Sequence, residues 1–124
     1  MGTSCSIAIM ERHDSIRAIY CNFDGYISRT GTMLKESYTD IDKVRQLIAG
    51  GNIRGLETEV ELVERYPGAR EVPTHTDCMQ HWLKEYAGQV QYNYLFDGER
   101  WSVNIHGEVD MLGNAKFVEL EDID

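Results

Sequence analysis

Apolar and polar positions alternate from Ser4 to Met10, with Cys5, Ile7 and Ile9 on one face and Ser4, Ser6 and Ala8 on the other. That is the two-residue side-chain period of a β-strand. A polar break at 11–15 follows, and Ile16, Ala18 and Tyr20 resume the alternation, which predicts a hairpin with a polar loop. The second strand continues through Tyr20-Cys21-Asn22-Phe23 and stops at Asp24-Gly25, where glycine lets the backbone leave the sheet and present Tyr26. Two aromatic rings, an amide and a carboxylate therefore meet at one strand end, the place where a scaffold tends to carry its working residues.

From Thr30 to Gly51 the period lengthens. Met33, Leu34 and Tyr38 predict a short helix, and Thr39-Asp40-Ile41-Asp42 starts another, with Thr39 as the cap and Ile41, Val44, Leu47 and Ile48 on one stripe. Gly50-Gly51 ends it. Between Glu57 and Glu64 the alternation returns, which predicts a strand with Val60 and Leu62 inward and Glu57, Glu59 and Glu61 in an outward row. Such a row is either a charged edge that resists aggregation or a surface fitted to a basic partner. Beyond the turn Tyr66-Pro67-Gly68, Thr76-Asp77 caps a helix whose stripe is Met79, Trp82, Leu83 and Tyr86 and which Gly88 closes; this stripe reads as core. Val90, Tyr92, Tyr94 and Phe96 share one strand face, Asp97-Gly98 makes a hairpin turn, and Trp101, Val103 and Ile105 continue that face on the return strand. The opposite face carries Gln91, Asn93, Ser102 and Asn104, a polar set able to bond a ligand or water. One more strand near Phe117 and a solvated acidic tail complete the pattern. The expected architecture is α+β: a single domain over residues 1–124, with an antiparallel sheet of four to six strands and about three helices packed on it.

Composition narrows the function. The 124 residues are 42% apolar and 27% charged, enough for a core without metal or disulfides, and the formal net charge is −9. A phosphate backbone would be repelled by that surface, so direct nucleic-acid binding is disfavoured, whereas a protein with a basic groove is attracted. Three scattered cysteines, Cys5, Cys21 and Cys78, point to a reducing compartment. With no leader-like run and no apolar stretch of membrane length, the expectation is cytoplasmic; Met1-Gly2 with Ser6 meets the myristoylation pattern only as a loose match.

Catalytic signatures are thin. Cys78 and His81 are a close pair of zinc-type ligands, three apart on the predicted helix, and no family pattern surrounds Cys21 or Cys78 as a nucleophile, so no metal, cofactor or catalytic residue is expected. Gly50-Gly51-Asn52-Ile53-Arg54-Gly55 follows a helix instead of opening one and lacks the phosphate-cradling geometry.

The order of motifs Ile19-Tyr20-Cys21-Asn22-Phe23-Asp24-Gly25-Tyr26, Gly31, Leu34, Tyr38-Thr39-Asp40, Lys43-Val44, Leu47-Ile48 and Gly51-Asn52-Ile53, with Tyr94-Leu95-Phe96-Asp97-Gly98 and Trp101, resembles a family of small phage and prophage proteins. The resemblance implies a phage setting and a host cytoplasm as the place of action. Within that setting the leading expectation is a non-enzymatic accessory protein that inhibits a host defence system, in the manner of an anti-CRISPR. It would bind a basic, nucleic-acid-handling host protein through Glu57, Glu59, Glu61, Glu64 and Asp24. A second expectation is a protein that sequesters a nucleotide signal with Tyr20, Asn22, Tyr26, Asn93, Arg100 and Trp101. A third is a small enzyme acting on nucleotides or nucleic acid, and the aromatic hairpin face equally suits a homodimer.

Overall fold

The computed structural model describes residues 3–11, 15–65, 74–76, 82–84 and 89–122. Among these residues eight strands form one sheet: β1 (Cys5–Met10), β2 (Ile16–Cys21), β3 (Ile53–Gly55), β4 (Glu64–Arg65), β5 (Thr74–Thr76), β6 (Tyr92–Phe96), β7 (Trp101–Ile105) and β8 (Val118–Glu119). Their order is β4-β3-β2-β1-β6-β7-β8, and β5 lies beside β2 at the Ile16 end of the edge that β3 meets at Cys21. Helices α1 (Thr32–Ser37) and α2 (Ile41–Ala49) connect β2 to β3.

The two expected hairpins are present and antiparallel, β1 with β2 in the register Cys5 opposite Cys21, and β6 with β7 in the register Phe96 opposite Trp101. The sheet as a whole is mixed, which corrects the antiparallel expectation: β1 runs parallel to β6, and β2 parallel to β3. The α1–α2 crossover is the cause for β3, because a chain that crosses a sheet face through helices returns in the direction it left.

Register also sets the faces. Ile19 and Cys21 pair with Ile7 and Cys5, so Ile16 and Ala18 lie on the opposite face from Ile7 and Ile9. Both faces are covered. Cys5, Ile7, Ile9, Ile19 and Cys21 pack with Leu34, Tyr38, Val44, Leu47, Ile48, Tyr94 and Phe96 under the helices. Ala8, Ile16, Ala18 and Leu95 pack with Trp82 on the far side. Trp82 lies in a helical turn at 82–84 and stacks on Phe117 with ring centroids 6.1 Å apart, as expected of a core residue; the rest of the predicted helix over 77–88, with Cys78 and His81, lies outside the described residues.

Hydrogen bonding moves the cap of α2 by one residue and fills in two expected element ends. The cap of α2 is Asp40, whose carboxylate accepts from the Asp42 amide, and Thr39 lies one residue further out. At the other end Gly51 takes the left-handed conformation (φ 88), while Arg65 on β4 donates to the carbonyls of Gly51 and Leu47 and so satisfies the end of the helix from outside it. The strand expected near Phe117 forms as β8, paired with β7, and Leu120 beyond it is buried in the main core.

Candidate functional site

The strand end at Cys21 is built as a rigid corner. β2 extends beside β3 through the amides of Asn22 and Phe23, which donate to the carbonyls of Ile53 and Arg54 at 3.2 and 2.8 Å. Asp24 then takes φ 60, an αL conformation that Asp tolerates better than most residues. Its carbonyl accepts from Thr30 Oγ1 at 2.6 Å. The Gly25 amide donates to Thr3 O at 2.7 Å, and the Gly25 carbonyl accepts from the buried Tyr94 hydroxyl at 2.7 Å. Beneath this corner sit the facing thiols of Cys5 and Cys21, both buried, with Cys21 Sγ 3.4 Å from Phe23 O and burial pushing the Cys5 thiol well up from its ordinary range.

From Ile27 to Gly31 the chain makes one π-helical turn before α1, and this wide turn sets Arg29 over the corner. Arg29 lies 3.7 Å from the Asp24 carboxylate and 3.6 Å from that of Glu57, so it joins two of the predicted acidic residues. The sequence carried no direct sign of this pairing, since it depends on the π turn.

The row of glutamates on a strand is not what forms. Residues 56–59 are irregular, Val60–Leu62 is a single 3-10 turn, and strand pairing is confined to Glu64 and Arg65. The backbone here is engaged by side chains in place of a neighbouring strand: Tyr38 Oη donates to Glu57 O at 2.6 Å, and Lys43 Nζ donates to Thr58 O at 2.7 Å. Leu62, expected inward, is 62% exposed. Glu59 pairs with Lys43 at 3.3 Å, while Glu61 and Glu64 are exposed and meet no cation among the described residues. The segment is thus acidic and held in shape at both ends, by Tyr38 and Lys43 at 57–58 and by Arg65 at its close.

The predicted nucleotide set does not assemble. Register puts Cys21, Cys5 and Tyr92 at one end of the sheet and Ile16, Met10, Phe96 and Trp101 at the other. Tyr20, Asn22 and Tyr26 therefore lie at the opposite end from Arg100 and Trp101. Trp101 is buried and its Nε1 donates to Tyr38 O at 2.8 Å, so its ring belongs to the core. Asn93 is buried too, its Oδ1 accepting from Ser6 Oγ at 2.6 Å. Arg100 is taken by Glu119 at 3.1 Å. Tyr20 is half-buried, and its hydroxyl donates to Asn22 Oδ1 at 3.3 Å. Of the three aromatic residues in the set, Tyr26 is the exposed one, at 39%.

No family model, curated protein or solved structure matches the chain. No helix of the described residues is long and apolar enough to cross a membrane.

Proposed function

We propose that the protein is a non-enzymatic binding protein that docks a basic, nucleic-acid-handling host protein through its acidic corner, in the phage counter-defence setting implied by the motif resemblance. The observation that carries this reading is the state of the acidic segment. Glu61 and Glu64 stand exposed and uncompensated among the described residues on a backbone already fixed by Tyr38, Lys43 and Arg65. Glu57 and Glu59 within the segment, and Asp24 joined to it through Arg29, are partly compensated by Arg29 and Lys43. An acidic segment whose backbone is already held, on a chain of net −9, draws a cationic surface at long range and binds it with little backbone ordering cost. Burial of Asn93 and Trp101 weighs against the nucleotide-sequestering alternative.

The test is a pull-down of the tagged full chain from a bacterial host lysate at low and high salt, with the wild type and Glu61→Lys/Glu64→Lys in parallel. Both residues are exposed, so the variant keeps the fold. A stoichiometric basic protein retained by the wild type at low salt, and lost at high salt or on charge reversal, is the expected result. An equal yield from both proteins at both salts would reject the reading.

A further inference from the structure

Between β7 and β8 the chain leaves the sheet as a closed finger, residues 106–116. His106 (φ 53) and Gly107 (φ 72) turn it away, Val109 bridges Ala115, and the Lys116 amide donates to Glu108 O at 3.0 Å. The buried Asn104 amide grips both legs, donating to Glu108 O and Lys116 O at 2.9 Å each. At the tip the Asp110 carboxylate accepts from the amides of Leu112 at 2.9 Å and Asn114 at 3.0 Å, the Asp110 amide donates to Asn114 O at 2.8 Å, and Gly113 (φ 83) closes the turn. What this turn presents is apolar: Met111 is 102% exposed, Leu112 85% and Val109 59%. Single exposed apolar side chains are ordinary, but three within four positions on a clamped tip form a patch that adds nothing to the fold, because an apolar side chain stabilises only by leaving water.

We propose that this finger inserts Met111 and Leu112 into an apolar pocket with a cationic rim on a protein partner. The backbone of the tip is ordered before binding, so little backbone freedom is lost, and methionine's unbranched thioether adapts to an irregular pocket. Charge selects the class of partner. Glu108 and Asp110 flank the tip against Lys116 alone, and the chain carries −9. An anionic lipid surface and a second copy of this chain are therefore both repelled, and the finger has none of the Trp, Tyr or clustered Lys and Arg that seat loops in a bilayer. A pocket rimmed by Lys or Arg is the complementary surface.

The finger departs from β7 at Ile105, which pairs through Tyr92 and Cys5 to Cys21, so it leaves the sheet at the same end as the Asp24 corner. Three strand spacings, about 14 Å, separate the two strands along the sheet. The proposal rests on the charge-led reading above for the sign of the partner and deepens it by naming the apolar anchor.

The test places a benzophenone-bearing residue at position 112 of the full chain in bacterial host cells and identifies what crosslinks under light. The crosslinked protein is then purified, and its Kd is measured against the wild type, Met111→Ser/Leu112→Ser and Glu61→Lys/Glu64→Lys at low and high salt. The expected result is a protein crosslinked through a segment with apolar residues beside Lys or Arg, and a loss of at least tenfold in affinity for the tip variant at both salts, with its Tm unchanged. If the tip variant binds like the wild type while charge reversal weakens binding, the finger proposal fails and the acidic reading stands. If the tip variant weakens binding and charge reversal does not, the finger stands and the acidic reading fails. Crosslinks only between copies of the chain, only to lipid, or to nothing overturn the finger proposal.

Discussion

Tyr38 donates its phenolic hydrogen to the carbonyl oxygen of Glu57 at 2.6 Å, and this bond fastens the acidic segment to the helical layer. Tyr38 is fully buried, its own carbonyl accepts from Trp101 Nε1, and Lys43 Nζ sits 4.6 Å from its ring centroid. Replacing Tyr38 by Phe keeps the ring and removes one bond, leaving the Glu57 carbonyl without its Tyr38 donor. The expected loss is about 1 to 2 kcal/mol in urea unfolding, the range for one buried hydrogen bond with an orphaned partner. A variant as stable as the wild type would mean that water replaces the phenol and that Tyr38 does not hold the segment.

The same phenol sets an alkaline limit. Burial, with the nearby carboxylates of Glu59, Glu57 and Glu61 acting in the same direction, pushes Tyr38 up to about 12, and burial also raises Tyr94. A folded-state value above the unfolded one of about 10 means that the folded protein holds its proton more tightly. Its contribution to stability is complete below pH 10 and is lost as pH rises toward 12. For Tyr38 the loss amounts to about 2 to 3 kcal/mol at 1.36 kcal/mol per unit. Urea midpoints measured from pH 9 to 12 should fall, and a fraction of the absorbance of the seven tyrosines should appear late in a spectrophotometric titration. Tyr38→Phe should flatten part of the fall; an identical slope would assign it elsewhere.

Asn104 is the second polar residue on which shape depends. Its side chain is buried, receives a long 3.4 Å contact from Asn93 Nδ2, and holds both legs of the finger. Asn104→Ala removes two donors from two carbonyls and opens a small cavity, and the expected cost is about 2 to 3 kcal/mol. Amide exchange at Lys116 and Asn114 should quicken by more than exchange within β1. Uniform quickening throughout the sheet would show that Asn104 supports the whole fold and not the finger in particular.

Legibility divides along the line between local and long-range causes. β1, β2, β6 and β7 were readable because alternation, Asp24-Gly25 and Asp97-Gly98 are local signals, and α2 was readable from its stripe and its acidic first turn. The parallel joining of β1 to β6 was not, since it depends on what the intervening chain does and not on either strand. Glu57 to Leu62 satisfied the period of two, yet the carbonyls of Glu57 and Thr58 are claimed by Tyr38 and Lys43 from 15 or more residues away. Asn93 and Asn104 read as a ligand-facing pair because their cover comes from distant segments, Ser6 on β1 and the finger itself. The acidic residues of the candidate site were visible individually; the Arg29 bridge that brings Asp24 and Glu57 together was not.

Gly25 is the position where the corner tolerates no side chain. A Cβ there would lie 2.8 Å from Cys5 Cβ, 2.9 Å from Thr3 O and 3.0 Å from Cys5 N, and two of these three atoms are backbone that cannot rotate away. Gly25→Ala must therefore push the loop off the start of β1 or bend that strand, at about 1 to 3 kcal/mol, the ordinary cost of overpacking. The bonds at risk are those of Gly25 to Thr3 and Tyr94, and with them the placement of Asp24 under Arg29. Thermal unfolding gives the stability change. Partner affinity at matched folded fraction then separates two consequences: if Asp24 acts only as part of a fixed corner, affinity drops with Gly25→Ala as much as with Asp24→Asn, whereas unchanged affinity in the alanine variant would remove the corner from the binding surface.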